Sequence, residues 1–123
     1  MQFYDSKKYQ PEDTIKIEFD PNNGSGKMPY QRFLYEDTVN LRSNVFIKTN
    51  GMFVGWTIGV ASNSSDQSDV QILDGGQINK QMIIDSGIDV KMGDTVKLYA
   101  VWLDYVFTDK DTQFVLDSNQ KEF

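Results

Sequence analysis

Phe53-Val-Gly-Trp56 and Thr95-Val-Lys-Leu-Tyr-Ala-Val-Trp102 are the stretches that decide the fold, because they place both tryptophans of the chain on strand-like segments. Successive side chains of a strand point to opposite faces, so Trp102 shares a face with Leu98 and Ala100. A buried indole covers a large apolar area, and two of them can anchor the core of a small β domain. We expect five core anchors: Phe19, Phe53, Trp56, Leu98 and Trp102.

Composition narrows the class of protein. The chain has 123 residues, of which 39% are hydrophobic and 24% charged, as expected for one soluble globular domain. Its net charge of −6 repels phosphate backbones and anionic lipid, and no apolar run reaches the ~20 residues of a membrane-spanning helix. We therefore expect neither nucleic acid as a partner nor membrane insertion. Cysteine and histidine are both absent, so we expect a non-enzymatic protein without a cofactor.

Local patterns predict the course of the chain. Residues 14–19 alternate strictly between apolar and polar and predict a strand. A second strand is expected within residues 28–38, which would complete a hairpin. Leu41 and Val45 are four apart and favour one or two helical turns within residues 39–47.

The chain divides into three parts on the same evidence. Residues 1–13 mix aromatic and charged side chains and predict an N-terminal arm. Residues 14–102 form the β domain, with a long polar insertion at 59–87. Residues 103–123 are a C-terminal extension, in which two apolar runs flank a polar turn and predict a hairpin.

The order of the motifs resembles the internalin B-repeat family, also called the Listeria–Bacteroides repeat. The residues that carry this resemblance are Ile17-Glu-Phe-Asp-Pro-Asn-Asn-Gly-Ser-Gly26, Phe33-Leu-Tyr-Glu-Asp-Thr38, Leu41, Phe53-Val-Gly-Trp56 and Val96-Lys-Leu-Tyr-Ala-Val-Trp102. The resemblance implies a mostly β (α+β) fold: a small β-grasp-like sheet with at most one short helix, here followed by the C-terminal hairpin. Asn23 and Asn50 stand where the family usually has glycine, and asparagine tolerates the left-handed backbone that those turns need. The family has no known catalytic residues.

Function is expected to lie in interactions displayed on a surface. Family members are repeats of bacterial surface proteins, and similar modules occur in phage structural proteins. A single repeat that starts with methionine, lacks an export signal and has extra segments at both ends favours a virion component, such as a capsid decoration, head-fibre or tail-associated protein. The competing location is the bacterial cell surface, with the chain as an adhesin repeat. Capsid or sister subunits are the expected partners, docked by six aromatic residues: Phe3, Tyr4, Tyr9, Tyr105, Phe107 and Phe114.

The sequence offers two alternative kinds of site. A carbohydrate-binding module would use exposed aromatic residues such as Tyr30, Tyr35 or Tyr105 on a glycan. The tryptophans themselves are expected in the core, because strand tryptophans of β domains are usually buried. Three aspartates of the polar insertion carry oxygen ligands of the kind that calcium prefers, although an acidic solvated loop explains them equally well: Asp66, Asp69 and Asp74.

Overall fold

Six strands and one short helix make up the part of the chain that the computed structural model describes, residues 10–61 and 67–104. In chain order they are β1 (Thr14–Asp20), β2 (Gln31–Leu34), β3 (Val39–Asn40), β4 (Gly51–Ile58), β5 (Gln77–Ile78), α1 (Lys80–Asp85) and β6 (Thr95–Asp104). Short 3₁₀ turns at Pro11–Asp13 and Gln67–Asp69 complete the secondary structure of these residues. The mostly β fold with one short helix confirms the predicted fold class. The predicted C-terminal hairpin lies outside the described residues.

The main sheet has four strands in the order β2-β1-β6-β4. The two central strands, β1 and β6, run parallel, with Lys16 beside Thr95 and Asp20 beside Tyr99. Each central strand has an antiparallel outer neighbour, β2 on one side and β4 on the other. A central parallel pair with antiparallel flanks is the strand arrangement of a β-grasp-like sheet.

The core lies on one face of this sheet and follows the period of two that the sequence shows. In β6 the buried side chains include Val96, Leu98, Ala100 and Trp102, while Lys97 between them is exposed. The same alternation buries Ile15 and Ile17 of β1. Both tryptophans belong to one aromatic cluster, in which the ring centroid of Phe53 lies 5.0 Å from that of Trp56 and 5.7 Å from that of Trp102. The remaining rings of the cluster are Phe19 and Phe46.

The α-helix of the described residues, α1, lies inside the predicted insertion rather than at residues 39–47, where helical turns were expected. That earlier expectation is wrong, because Val39 and Asn40 form β3, which pairs with β5. Helix α1 begins after Asn79, whose side-chain oxygen accepts a hydrogen bond of 3.0 Å from the backbone amide of Met82. Its Ile83 is fully buried, which attaches the helix to the core.

Most of the described insertion packs against the domain. Ile72 forms a bridge with Trp56 at the free edge of β4, and Ile72 and Ile78 are buried. This close approach explains the glycine before Trp56. A Cβ atom on Gly55 would stand 2.4 Å from a methyl carbon of Val70 and 2.6 Å from the carbonyl oxygen of Ile72. The predicted polar insertion is therefore polar only in part.

Both ends of the domain extend slightly beyond the predicted boundaries. The 3₁₀ turn Pro11–Asp13 belongs to the folded domain, since the carbonyl oxygen of Asp13 accepts a hydrogen bond from the amide of Tyr35. At the other end β6 continues to Asp104, which pairs with Gly51. Residues 11–13 and 103–104, which the sequence assigned to the arm and to the extension, thus lie in secondary structure that contacts the domain.

Candidate functional site

A groove opens where β2 and β1 separate. Their pairing ends at Ile17 and Gln31, and continuation of this register would place Pro29 opposite Phe19. Proline has no amide hydrogen and cannot extend a strand ladder. Met28 nearby is partly buried and packs against the core. The edge of β1 beyond Ile17 consequently faces a cleft instead of a neighbouring strand.

The groove has a volume of about 440 Å³ and combines charged with apolar walls. Glu18 and Asp20 of β1 and Lys97 of β6 supply its charged groups, because they lie on the face of the sheet opposite the core. Its apolar lining consists of two aromatic residues, two prolines and a methionine: Phe19, Pro21, Met28, Pro29 and Tyr30.

Each carboxylate of the groove has a lysine beside it. The Lys16 ammonium lies 3.4 Å from Glu18, and the Lys97 ammonium lies 4.0 Å from Asp20. The turn that follows β1 also fixes the Asp20 carboxylate, because its Oδ1 accepts a hydrogen bond of 2.8 Å from the backbone amide of Asn22. The charges of the groove are therefore compensated locally.

Tyr30 is the exposed aromatic residue of this site, with 51% of its surface accessible. The Lys16 ammonium lies 4.4 Å from the centre of its ring, and the Arg32 guanidinium carbon lies 5.3 Å away. Cations at such distances are attracted to the electron-rich face of a ring. These contacts hold the tyrosine against the sheet at the mouth of the groove.

The two other tyrosines named for glycan binding have different positions. Tyr35 is half-buried, its hydroxyl donates a hydrogen bond of 3.2 Å to the carbonyl oxygen of Val90, and the Lys80 ammonium lies 4.3 Å from its ring centre. Its polar end is thus engaged within the domain. Tyr105 lies outside the described residues.

The five predicted core anchors all lie in the core or against it. Trp56, Leu98 and Trp102 are buried, and Phe19 and Phe53 are partly buried against them. They do not form an exposed ligand platform. All six predicted docking residues lie outside the described part of the chain: Phe3, Tyr4, Tyr9, Tyr105, Phe107 and Phe114.

The calcium prediction stays a prediction, because Asp66 lies outside the described residues. Asp69 belongs to a 3₁₀ turn, and Asp74 accepts a hydrogen bond of 2.8 Å from the amide of Asn44. Within residues 10–61 and 67–104, no three or more histidine, cysteine, aspartate or glutamate side chains are grouped to hold a metal ion. In the same residues no helix has the length and hydrophobicity to cross a membrane.

Of the residues of this groove, only Phe19 and Tyr30 were predicted from the sequence to have a core or binding role, and Glu18, Asp20, Pro21 and Lys97 entered only as parts of the motifs. The available signal was the polar face of β1, which alternates with its buried face and carries Glu18 and Asp20. Comparison of the chain with family models, with curated proteins and with solved structures finds no match in any of the three.

Proposed function

We propose that this chain is a non-enzymatic interaction module with a B-repeat-like β domain, displayed on the surface of a phage particle. The observation that carries the proposal is that the motif residues pack against one another inside the domain. Trp56 and Trp102 contact the same Phe53 ring, and the Trp102 indole bonds to Pro21 of the Asp-Pro-Asn-Asn-Gly turn. A domain whose signature residues are buried in this way is suited to act as a scaffold that presents other segments.

The positions at which the terminal segments join the domain support a bridging role. The parallel pairing places Thr14, where β1 begins, and Asp104, where β6 ends, at opposite ends of the central strand pair. With Lys16 beside Thr95, the two positions are separated by eleven residue steps, or roughly 35 Å of strand. Segments that leave from opposite ends of a domain can engage two different neighbours.

The docking role of the terminal aromatic residues is tested in the full chain. In one variant Phe3, Tyr4 and Tyr9 are changed to serine, and in another Tyr105, Phe107 and Phe114 are changed. The control changes Val60 and Leu73, two exposed apolar residues of the domain, to serine. Native mass spectrometry is expected to show a smaller assembly for the terminal variants than for the control. If all three variants assemble like the wild type, the terminal segments have no docking role.

The alternative location, a bacterial cell wall, requires a different measurement. Antibodies against the domain would be applied to purified phage particles and to cell-wall fractions of the producing bacterium. Labelling of intact particles is the expected result. Labelling confined to the cell wall would favour the adhesin repeat over the virion component.

A further inference from the structure

We propose that the groove between β1 and Tyr30 binds one unit of a neutral saccharide. Its volume of about 440 Å³ falls within the roughly 300–1,000 Å³ typical of small-ligand sites. The groove belongs to the described domain and is separate from the terminal segments. The inference therefore does not depend on the proposed docking role.

The charge arrangement favours a neutral ligand over an ion. Glu18 and Asp20 have lysine ammonium groups at 3.4 and 4.0 Å, so the field that a charged ligand would experience is largely cancelled. The carboxylate oxygens and ammonium hydrogens nevertheless remain good acceptors and donors. Exposed ion pairs of this kind contribute little to stability, so hydroxyl groups can compete for their partners. Side-chain exposures of 41% for Glu18 and 50% for Lys97 leave both groups within reach of a ligand.

The apolar lining of the groove has the chemistry that matches the carbon-bound face of a sugar ring. Tyr30 offers a ring that is about half exposed and that Lys16 and Arg32 also approach, at 4.4 and 5.3 Å from its centre. Met28 and Pro29 line the groove beside it. A sugar presents hydroxyl groups at its edge and C–H groups on its faces. A ligand seated with its hydroxyls towards Asp20 and Lys97 could therefore place a C–H face on Tyr30.

The site is also held in shape before a ligand arrives. The amide of Asn22 fixes the Asp20 carboxylate, and the Asn22 side chain donates a hydrogen bond of 2.9 Å to the carbonyl oxygen of Ala100. Tyr30 is held by Lys16 and by Arg32. Groups that need no reordering on binding lose less entropy, which favours affinity.

Nuclear magnetic resonance of the full chain tests the inference. Glucose, galactose and N-acetylglucosamine would be titrated up to about 50 mM, enough to detect dissociation constants in the millimolar range. Saturable shifts are expected at the amides of Glu18, Asp20, Tyr30 and Lys97 with at least one of these sugars. Spermidine and glucuronate serve as charged probes and are expected to shift these amides less. The absence of shifts with all three sugars, or stronger binding of a charged probe, would overturn the inference.

Two substitutions identify the groove as the binding site. Tyr30→Ala is expected to weaken sugar binding about tenfold or more, because it removes the aromatic wall. Lys97→Met retains the stem of the side chain but removes its hydrogen-bond donors, and a similar loss is expected. Met92→Ala, at an exposed residue that is not part of the groove, is expected to bind like the wild type. Undiminished binding by both groove variants would place the sugar elsewhere and contradict the inference.

Discussion

The indole nitrogen of Trp102 donates a hydrogen bond of 2.8 Å to the carbonyl oxygen of Pro21, which lies 81 positions earlier in the chain. The same carbonyl accepts a bond of 2.9 Å from the amide of Gly24. The closing strand and the turn after the first strand therefore meet at one oxygen atom. Two motifs that are far apart in sequence form one structural unit.

Gly24 should not tolerate a larger side chain. A Cβ atom at this position would stand 2.7 Å from Cζ2 of Trp102 and 2.8 Å from the carbonyl oxygen of Ile47, both closer than normal contacts. Gly24→Ala is expected to lower the free energy of unfolding by about 1–3 kcal/mol, measured by urea denaturation. Ser25→Ala in the same turn is the control and should change it by less than about 0.5 kcal/mol. Equal stability of the two variants would contradict the close packing of this turn.

Asn50 should accept glycine more readily than alanine. Its φ of 58° lies in the left-handed region, where a Cβ atom is unfavourable and asparagine is tolerated. Asn50→Gly is expected to leave thermal stability nearly unchanged, whereas Asn50→Ala should cost about 1 kcal/mol. Thermal denaturation of both variants measures the difference. A more stable alanine variant would show that the turn does not need this conformation.

The two tryptophans should differ in fluorescence. Trp56 is fully buried, and its indole nitrogen has no hydrogen-bond partner in the described part of the chain. Trp102 bonds to a carbonyl oxygen and is 6% exposed, so its surroundings are more polar. Trp102→Phe, which leaves only Trp56, is therefore expected to emit at a shorter wavelength than Trp56→Phe. The reverse order of the two emission maxima would rule out this assignment of environments.

The cap of the helix should contribute measurably to stability. Asn79 accepts the amide hydrogen of Met82, and its side chain also donates to the Thr38 hydroxyl at 3.3 Å. Asn79→Ala is expected to cost about 1 kcal/mol in chemical denaturation. Asn79→Asp keeps the acceptor for the helix amide and should recover most of this loss. If aspartate is no better than alanine, the cap bond contributes little.

Lys91 provides a test of surface electrostatics. A hydrogen bond of 2.8 Å to Asp89, together with the attraction of its charge, raises the pKa of Lys91. Because the folded pKa is raised above its unfolded value, the small stabilisation is present below the unfolded pKa and is lost as the pH rises through the folded one. Asp89→Asn is expected to lower the pKa of Lys91, measured by the pH dependence of its side-chain resonances. Asp85→Asn should leave the pKa unchanged, and an equal effect of both would exclude the specific pair.

Sequence patterns predicted the regular strands well and the irregular segments poorly. The alternation in β1 and β6 follows the core face, which buries Ile15 and Ile17 in β1 and Val96, Leu98 and Ala100 in β6, although Val101 on the other face is buried as well. The spacing of Leu41 and Val45 was misleading, since Leu41 is buried while Val45 is 60% exposed. Asn44 lies between them and bonds through its side chain to the amide of Phe46, a local bond that competes with helix formation.

The groove could not be predicted from the sequence, because it too depends on an irregular segment of the chain. Its carboxylates follow the polar face of β1, but the cleft exists only because the chain at Pro29 leaves that strand. The departure depends on where strand pairing stops and on how Met28 packs, and both are set by the assembled domain. The local alternation of apolar and polar residues predicts neither the end of strand pairing nor the packing of Met28.

The parallel pairing of β1 and β6 has a mechanical consequence. A force applied between Thr14 and Asp104 pulls the two central strands past each other along their lengths. Under that load all the hydrogen bonds between β1 and β6 are strained at the same time, whereas pulling the strands apart from one end would break them one after another. A module of this kind would resist stretching strongly along this direction, a useful property on any surface exposed to flow or impact.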